Sequence, residues 1–204
     1  MKTIIQPVTD TYSEQGSKFI GFLSPTGGQK DIDKQLAALK EQYPDATHHC
    51  YAYRINPENL QEYAQDDGEP SGSAGLPILN ALKSAELTNV LLVVVRYFGG
   101  TKLGKSGLIS AYRATAEMCT EKAVAGELFA VRRFRLVYPY PEQKRIDQLI
   151  HIYNLTVFDE TYTDVVEITV DCENSHAPDL KNKLEAQAHL GIKIEYLGKF
   201  YGVN

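Results

Sequence analysis

Val90-Leu91-Leu92-Val93-Val94-Val95 is the longest uninterrupted apolar run in this chain of 204 residues. Six residues suit a strand and cannot cross a bilayer, which takes about 20 in a helix. Neighbouring side chains of a strand point to opposite faces. A run that is apolar at every position therefore needs cover on both sides. Extended to Tyr97, it predicts a central strand of a sheet buried on both faces.

The elements around it follow from periodicity and breakers. Residues 17–23 read as a strand, and Pro25, Gly27 and Gly28 break the chain. Residues 31–43 form an amphipathic helix with Ile32, Leu36, Leu39 and Tyr43 on one side. Residues 49–55 alternate as a strand, with residues 62–65 as its hairpin partner. Residues 76–86 predict a helix with Pro77 in its first turn. Residues 106–123 predict another, with Leu108, Tyr112, Thr115 and Cys119 on one stripe.

The remaining chain has a different rhythm. Phe134, Leu136 and Tyr138 share one strand face. Pro141 opens a helix carrying Ile146, Leu149, Ile150 and Tyr153. Strand-like runs at 155–159 and 165–171 flank a polar turn. Leu180, Leu184 and Ala188 mark a helix that Gly191 ends, and residues 192–201 close with a strand. The order β-α-β-β-α-β predicts a ferredoxin-like domain. The expected class is thus α+β with two domains, residues 1–130 and 131–204, the boundary falling near 126–131.

Composition narrows the function. Hydrophobic residues make up 43% and charged residues 23%, which excludes disordered, collagenous and coiled-coil chains. The three cysteines, Cys50, Cys119 and Cys172, lie far apart. Reduced thiols in a cytoplasmic protein are expected, not a disulfide framework. Met1-Lys2 is followed by polar residues and Pro7, with no secretory apolar segment, so no membrane partner is expected. A net charge of −5 excludes a generally basic nucleic-acid coat and leaves room only for a local patch.

Such a patch is visible. Glu58, Glu62, Asp66, Asp67 and Glu69 crowd an acidic stretch. No acid occurs between Glu86 and Glu117, where Arg96, Lys102, Lys105 and Arg113 fall. The two stretches either pair with each other or build a bipolar site.

Within the basic stretch, Gly99-Gly100-Thr101-Lys102-Leu103-Gly104-Lys105-Ser106 matches the Walker A pattern after a strand and before a helix. A P-loop nucleotidase also needs further parallel strands and a Walker B aspartate, and an antiparallel second half does not supply them. What remains is an anion site. Glycines ahead of a helix N-terminus leave amides unpaired, and the helix dipole favours negative charge. Arg96, Gly99, Gly100, Lys102, Gly104 and Lys105 are the candidates to bind a phosphate-like anion or RNA. The same glycines equally allow a tight strand-to-helix turn.

The acidic loop supplies candidate partners for this cleft. Asp66, Asp67 and Glu69 with Ser71 and Ser73 are oxygen donors dense enough for magnesium. Alternatively the loop is solvated and caps the next helix through Ser71 or Ser73. His48-His49-Cys50 lies on a strand, with His48 and Cys50 on one side and His49 on the other. Neither a zinc site nor a Cys-His pair is indicated by that spacing; His49 is kept as a cleft candidate. No catalytic residue, metal or cofactor is assigned.

Several stretches together resemble the IMPACT family: His48-His49-Cys50-Tyr51-Ala52-Tyr53-Arg54, residues 66–75, Val93-Val94-Val95-Arg96-Tyr97-Phe98-Gly99-Gly100, Leu103-Gly104, Gly107-Leu108 and Ala111-Tyr112. The resemblance implies an N-terminal α/β sandwich like a domain of a small-subunit ribosomal protein. It also implies a C-terminal domain similar to the last domain of elongation factor G. The resemblance further implies that eukaryotic members regulate translation through an additional N-terminal module, which is not expected in this chain. The family usually has a small residue and glycine where this chain has Lys105 and Ser106, so the Walker match is a coincidence of this sequence.

The expected function is a translation-associated regulatory protein binding RNA or a ribosomal surface through a glycine-rich basic cleft. An enzyme acting on a phosphorylated small molecule or nucleotide, with a metal on Asp66, Asp67 or Glu69, is the alternative. A third reading is a protein-interaction module using the open sheet face of the second domain.

Overall fold

The computed structural model describes residues 1–203. The chain divides into two compact units, Met1–Leu128 with Val203, and Phe129–Gly202.

The first unit is built on one sheet. Its strands are β2 (Val8–Glu14), β3 (Ser17–Pro25), β4 (His48–Ile55), β5 (Gln61–Gln65) and β6 (Val90–Tyr97), in the order β2-β3-β6-β4-β5. Every neighbouring pair is antiparallel. A short β1 (Lys2–Ile4) pairs instead with the start of β7 (Ala125–Tyr138). Helices α1 (Gln29–Gln42), α2 (Gly75–Ser84) and α3 (Gly104–Lys122) complete the unit.

The apolar run lies in β6, the middle strand. Val90, Leu92 and Val94 pack with Ile78 and Leu82 of α2 and Tyr112 of α3. Leu91, Val93 and Val95 pack with Ile32, Leu36 and Leu39 of α1. Each such Val or Leu contributes about 1.5–3 kcal/mol through burial, which holds both helical layers to the sheet. The continuous run therefore signalled two covered faces in an antiparallel sheet; it carries no information on strand direction.

Strands β1 and β2 were not legible in the sequence. The β2 stretch, Val-Thr-Asp-Thr-Tyr-Ser-Glu, is an edge strand with alternating half-burial, and its low apolar content hides the period. Strand β7 also begins eight residues before Arg133. The two units part inside this continuous strand, not at a linker.

The second unit contains most of β7, a 3-10 turn over Tyr140–Glu142, α4 (Gln143–Ile152), β8 (Thr156–Tyr162), β9 (Val166–Glu173), α5 (Ala177–Glu185) and β10 (Lys193–Val203). Its strand order is β10-β7-β9-β8, the ferredoxin-like arrangement. Phe134, Leu136, Val166, Ile168 and Val170 form one sheet face beneath Ile146 and Leu149 of α4 and Leu180 and Leu184 of α5. Helix α5 ends at Glu185; Gly191, at φ 80°, closes the short 3-10 segment after it. No helix among the described residues is long and apolar enough to cross a membrane.

Candidate functional site

The loop between β5 and α2 is held from within by its carboxylates. Asp66 accepts backbone N–H bonds from Gly72 at 2.8 Å, Ala74 at 3.0 Å and Gly75 at 2.8 Å. The Ala74 and Gly75 amides are orphan donors at the start of α2, so Asp66 caps a helix that begins nine residues later, and its bond to Gly72 fixes the loop before it. Neither Ser71 nor Ser73 does so: the N-cap residue is Ala74, α2 has no cap from it, and the Ser73 hydroxyl is buried without a partner. A β-carbon on Gly75 would lie 2.6 Å from the Gln65 nitrogen. Only glycine lets the helix start this close to the strand that leads into the loop. Burial pushes the Asp66 carboxyl up, but the Gly72, Gly75 and Ala74 amides and the Lys105 charge outweigh it and hold it below its ordinary value.

Asp67 sits at φ 45°, a left-handed conformation that aspartate tolerates. Its Oδ2 accepts the His49 backbone N–H at 2.7 Å, and its carbonyl oxygen lies 2.7 Å from His48 Nδ1. Glu69 is 8% exposed. Its Oε1 is 2.6 Å from Arg96 Nη1, accepts the Tyr112 hydroxyl at 2.8 Å, and lies 3.9 Å from His48 Nε2. Cys50 Sγ is 3.0 Å from the Asp66 carbonyl and 3.2 Å from the Tyr112 hydroxyl. One network thus joins β4, the acidic loop, β6 and α3.

Arg96, expected as an anion contact, is itself 5% exposed. Phe19 and Phe98 flank its guanidinium at 5.4 and 5.6 Å, and Ser17 Oγ is 3.4 Å from Nη2. Its charge is committed to Glu69. The acidic and basic stretches therefore do meet, through a buried pair and not across a solvated surface. Burial, first, and the adjacent carboxylates push the Cys50 thiol up strongly; burial and the Cys50 and Glu69 neighbours do the same to the Tyr112 hydroxyl. Both stay protonated, which suits hydrogen-bond donation and not nucleophilic attack.

The glycine segment continues from this network toward solvent. The Gly99 N–H donates to Ser17 Oγ at 3.1 Å. A β-carbon on Gly99 would lie 1.9 Å from the Gly16 carbonyl carbon, so the segment crosses the β2–β3 turn at backbone contact. Gly100 and Gly104 have φ 87° and 69° and open space where a side chain would be. Helix α3 then starts with no side-chain cap and no acid in its first turn. Lys102 and Lys105 are exposed and have no ion-pair partner among the described residues. Strand β6 has antiparallel neighbours on both sides, so the Walker-like letters sit outside the parallel sheet that a P-loop requires.

The candidates fall into two sets. Asp66, Asp67, Glu69 and Arg96 are drawn into one network. Gly99, Gly100, Lys102, Gly104 and Lys105 form the exposed run that follows. The backbone of His49 joins the network, and burial, outweighing the Asp67 charge, holds its ring below its ordinary pKa. Sequence reasoning missed Ser17 and Tyr112 as members. Tyr112 reads as a core stripe residue, and the Ala111-Tyr112 pair was the one signal that marked it. No cluster of His, Cys, Asp and Glu among the described residues is arranged to hold a metal ion.

A three-layer unit carrying this network, joined to a ferredoxin-like unit, defines a two-domain protein with an Impact N-terminal domain, whose family model matches residues 15–120. Residues 136–187 match a domain of unknown function (DUF1949). The chain belongs to the IMPACT family. It is 35% identical over 149 residues to an IMPACT family member of Haemophilus influenzae, covering 72% of each chain. It is similar to the IMPACT family member YigZ of Escherichia coli, 28% identical over 180 residues, covering 87% of this chain and 88% of YigZ. A crystal structure of a hypothetical protein superposes with a TM-score of 0.68 at 25% identity, over 97% of both chains.

Proposed function

We propose that this protein is a translation-associated regulatory protein that binds RNA or a ribosomal surface through the exposed segment at residues 99–105. Family membership supports the translational setting. One observation carries the binding reading: the two charged stretches are neutralised unequally. Asp66 is satisfied by three amides, Asp67 by one, and Glu69 by Arg96 and Tyr112. Glu69 is buried and Asp66 and Asp67 are half-buried, their carboxylates bonded within the fold, while Lys102 and Lys105 face water beside an uncapped helix N-terminus that favours anions.

The test is a filter-binding series with single-stranded RNA across salt. Arg96 is committed internally, so two phosphates are neutralised, by Lys102 and Lys105. The log–log slope is then about −1.4, and affinity falls about sevenfold between roughly 50 and 200 mM salt. Lys105 also acts on Asp66, so Lys102→Ala costs more affinity than Lys105→Ala and removes about 0.7 from the slope. A flat salt response, or no retention of RNA or ribosomes at low salt, overturns the reading.

A further inference from the structure

The second unit carries a groove of about 450 Å³ between α4 and α5. That volume is in the range of ligand-binding clefts, about 300–1,000 Å³. Two aliphatic residues line it: Leu149, which is buried, and Ile152, which is 65% exposed at the end of α4. Its rim is cationic. Lys144 and Arg145 on α4 and Lys183 on α5 all line it, against a single lining acid, Glu142. Glu142 is spent on Arg145, 2.8 Å away. The groove thus keeps two net positive charges in a chain whose overall charge is −5. Lys144 has no ion-pair partner among the described residues, and Lys183 lies 5.6 Å from the Tyr153 ring centroid instead of on an acid. Gln187, also lining the groove, has a buried Oε1 with no hydrogen-bond donor. Nothing in the network of the first unit uses any of these groups.

We infer that this groove docks an acidic peptide segment of a partner protein. Carboxylates of the segment meet Lys144 and Lys183, and an aliphatic side chain covers Ile152. Each requirement matches one feature of the groove. A nucleic acid matches fewer of them. No aromatic side chain lines the groove to stack a base, and the exposed Ile152 has no apolar counterpart on a phosphodiester backbone.

The test uses the full chain, labelled with ¹⁵N, and a fluorescein-labelled peptide of alternating Glu and Leu. A peptide of alternating Lys and Leu and an oligouridylate are the comparison probes. Expected are saturable micromolar binding of the Glu-containing peptide and amide shifts confined to α4, α5 and the turn after α5. Lys144→Glu and Lys183→Glu should each weaken binding about tenfold, and Ile152→Asp should weaken it by a similar factor. All three residues are exposed, so the variants keep the fold, which unchanged shifts elsewhere verify. Equal binding of the Lys-containing peptide, shifts outside the groove, or charge reversals without effect overturn the inference. Shifts at α4 and α5 with oligouridylate and not with the acidic peptide overturn it in favour of a nucleic-acid surface.

Discussion

Arg96 in β6 and Glu69 in the loop before α2 form a buried ion pair, Nη1 to Oε1 2.6 Å, between residues 27 apart in sequence. The pair stitches a loop with no regular structure to the central strand of the sheet. Two aromatic rings and the Tyr112 hydroxyl exclude water around it. Low local dielectric makes each charge costly without the other.

Removing one partner should therefore be worse than removing both. Arg96→Met is expected to destabilise the first unit by about 3–5 kcal/mol. Combining it with Glu69→Leu is expected to cost clearly less than the sum of the single changes. Urea unfolding of the two single variants and the double variant closes the cycle. Additive losses would mean that the pair is not coupled.

Asp66 should confer acid sensitivity. Its folded carboxyl lies below the unfolded value of 3.8. A depressed pKa contributes stability above that value and loses it as pH falls through the folded one. The cap is expected to contribute about 1–2 kcal/mol near neutral pH and to fade below about pH 4. Asp66→Asn keeps an acceptor without the titration, so it should flatten the acid limb of stability against pH while leaving α2 capped. Thermal melts of both proteins between neutral and acid pH check this, and an unchanged acid limb in Asp66→Asn would refute it.

Neighbouring glycines should differ sharply. Gly99→Ala forces a methyl onto the Gly16 backbone and is expected to cost upwards of about 3 kcal/mol or prevent folding. Gly100→Ala meets open space and suffers only its positive φ, a cost of about 1–2 kcal/mol. Comparing soluble yield and melting temperature separates the two. Equal losses would mean that the segment does not cross the β2–β3 turn at contact distance.

The cysteines should be inert in the folded state. All three are buried. Burial pushes Cys119 and Cys172 to about 11 and Cys50 higher still, so none is a thiolate at pH 8. Titration with an aromatic disulfide reagent is expected to show no fast-reacting thiol in the native protein and three after denaturation. A fast thiol in the native state would point to an opening that exposes β4 or α3.

Local patterning was sufficient for much of this architecture. The unbroken 90–95 run, the stripe of Ile32, Leu36 and Leu39, and the alternation of Phe134, Leu136 and Tyr138 each state a period and a buried face. Burial is a property of side-chain type, so those features are written in consecutive residues. The edge strand β2 was illegible for the same reason, since half-burial leaves little apolar signal. The sequence also showed that an acidic and a basic stretch exist, and resemblance placed them in one family. It did not show that Arg96 spends its charge on Glu69, that Asp66 caps a helix nine residues on, or that Lys144 and Lys183 flank one groove. Those depend on which segments the sheet order and helix packing bring within about 3 Å, where hydrogen bonds form. Pairing across such separations is decided by tertiary structure, because a charge in the chain does not indicate which partner will reach it.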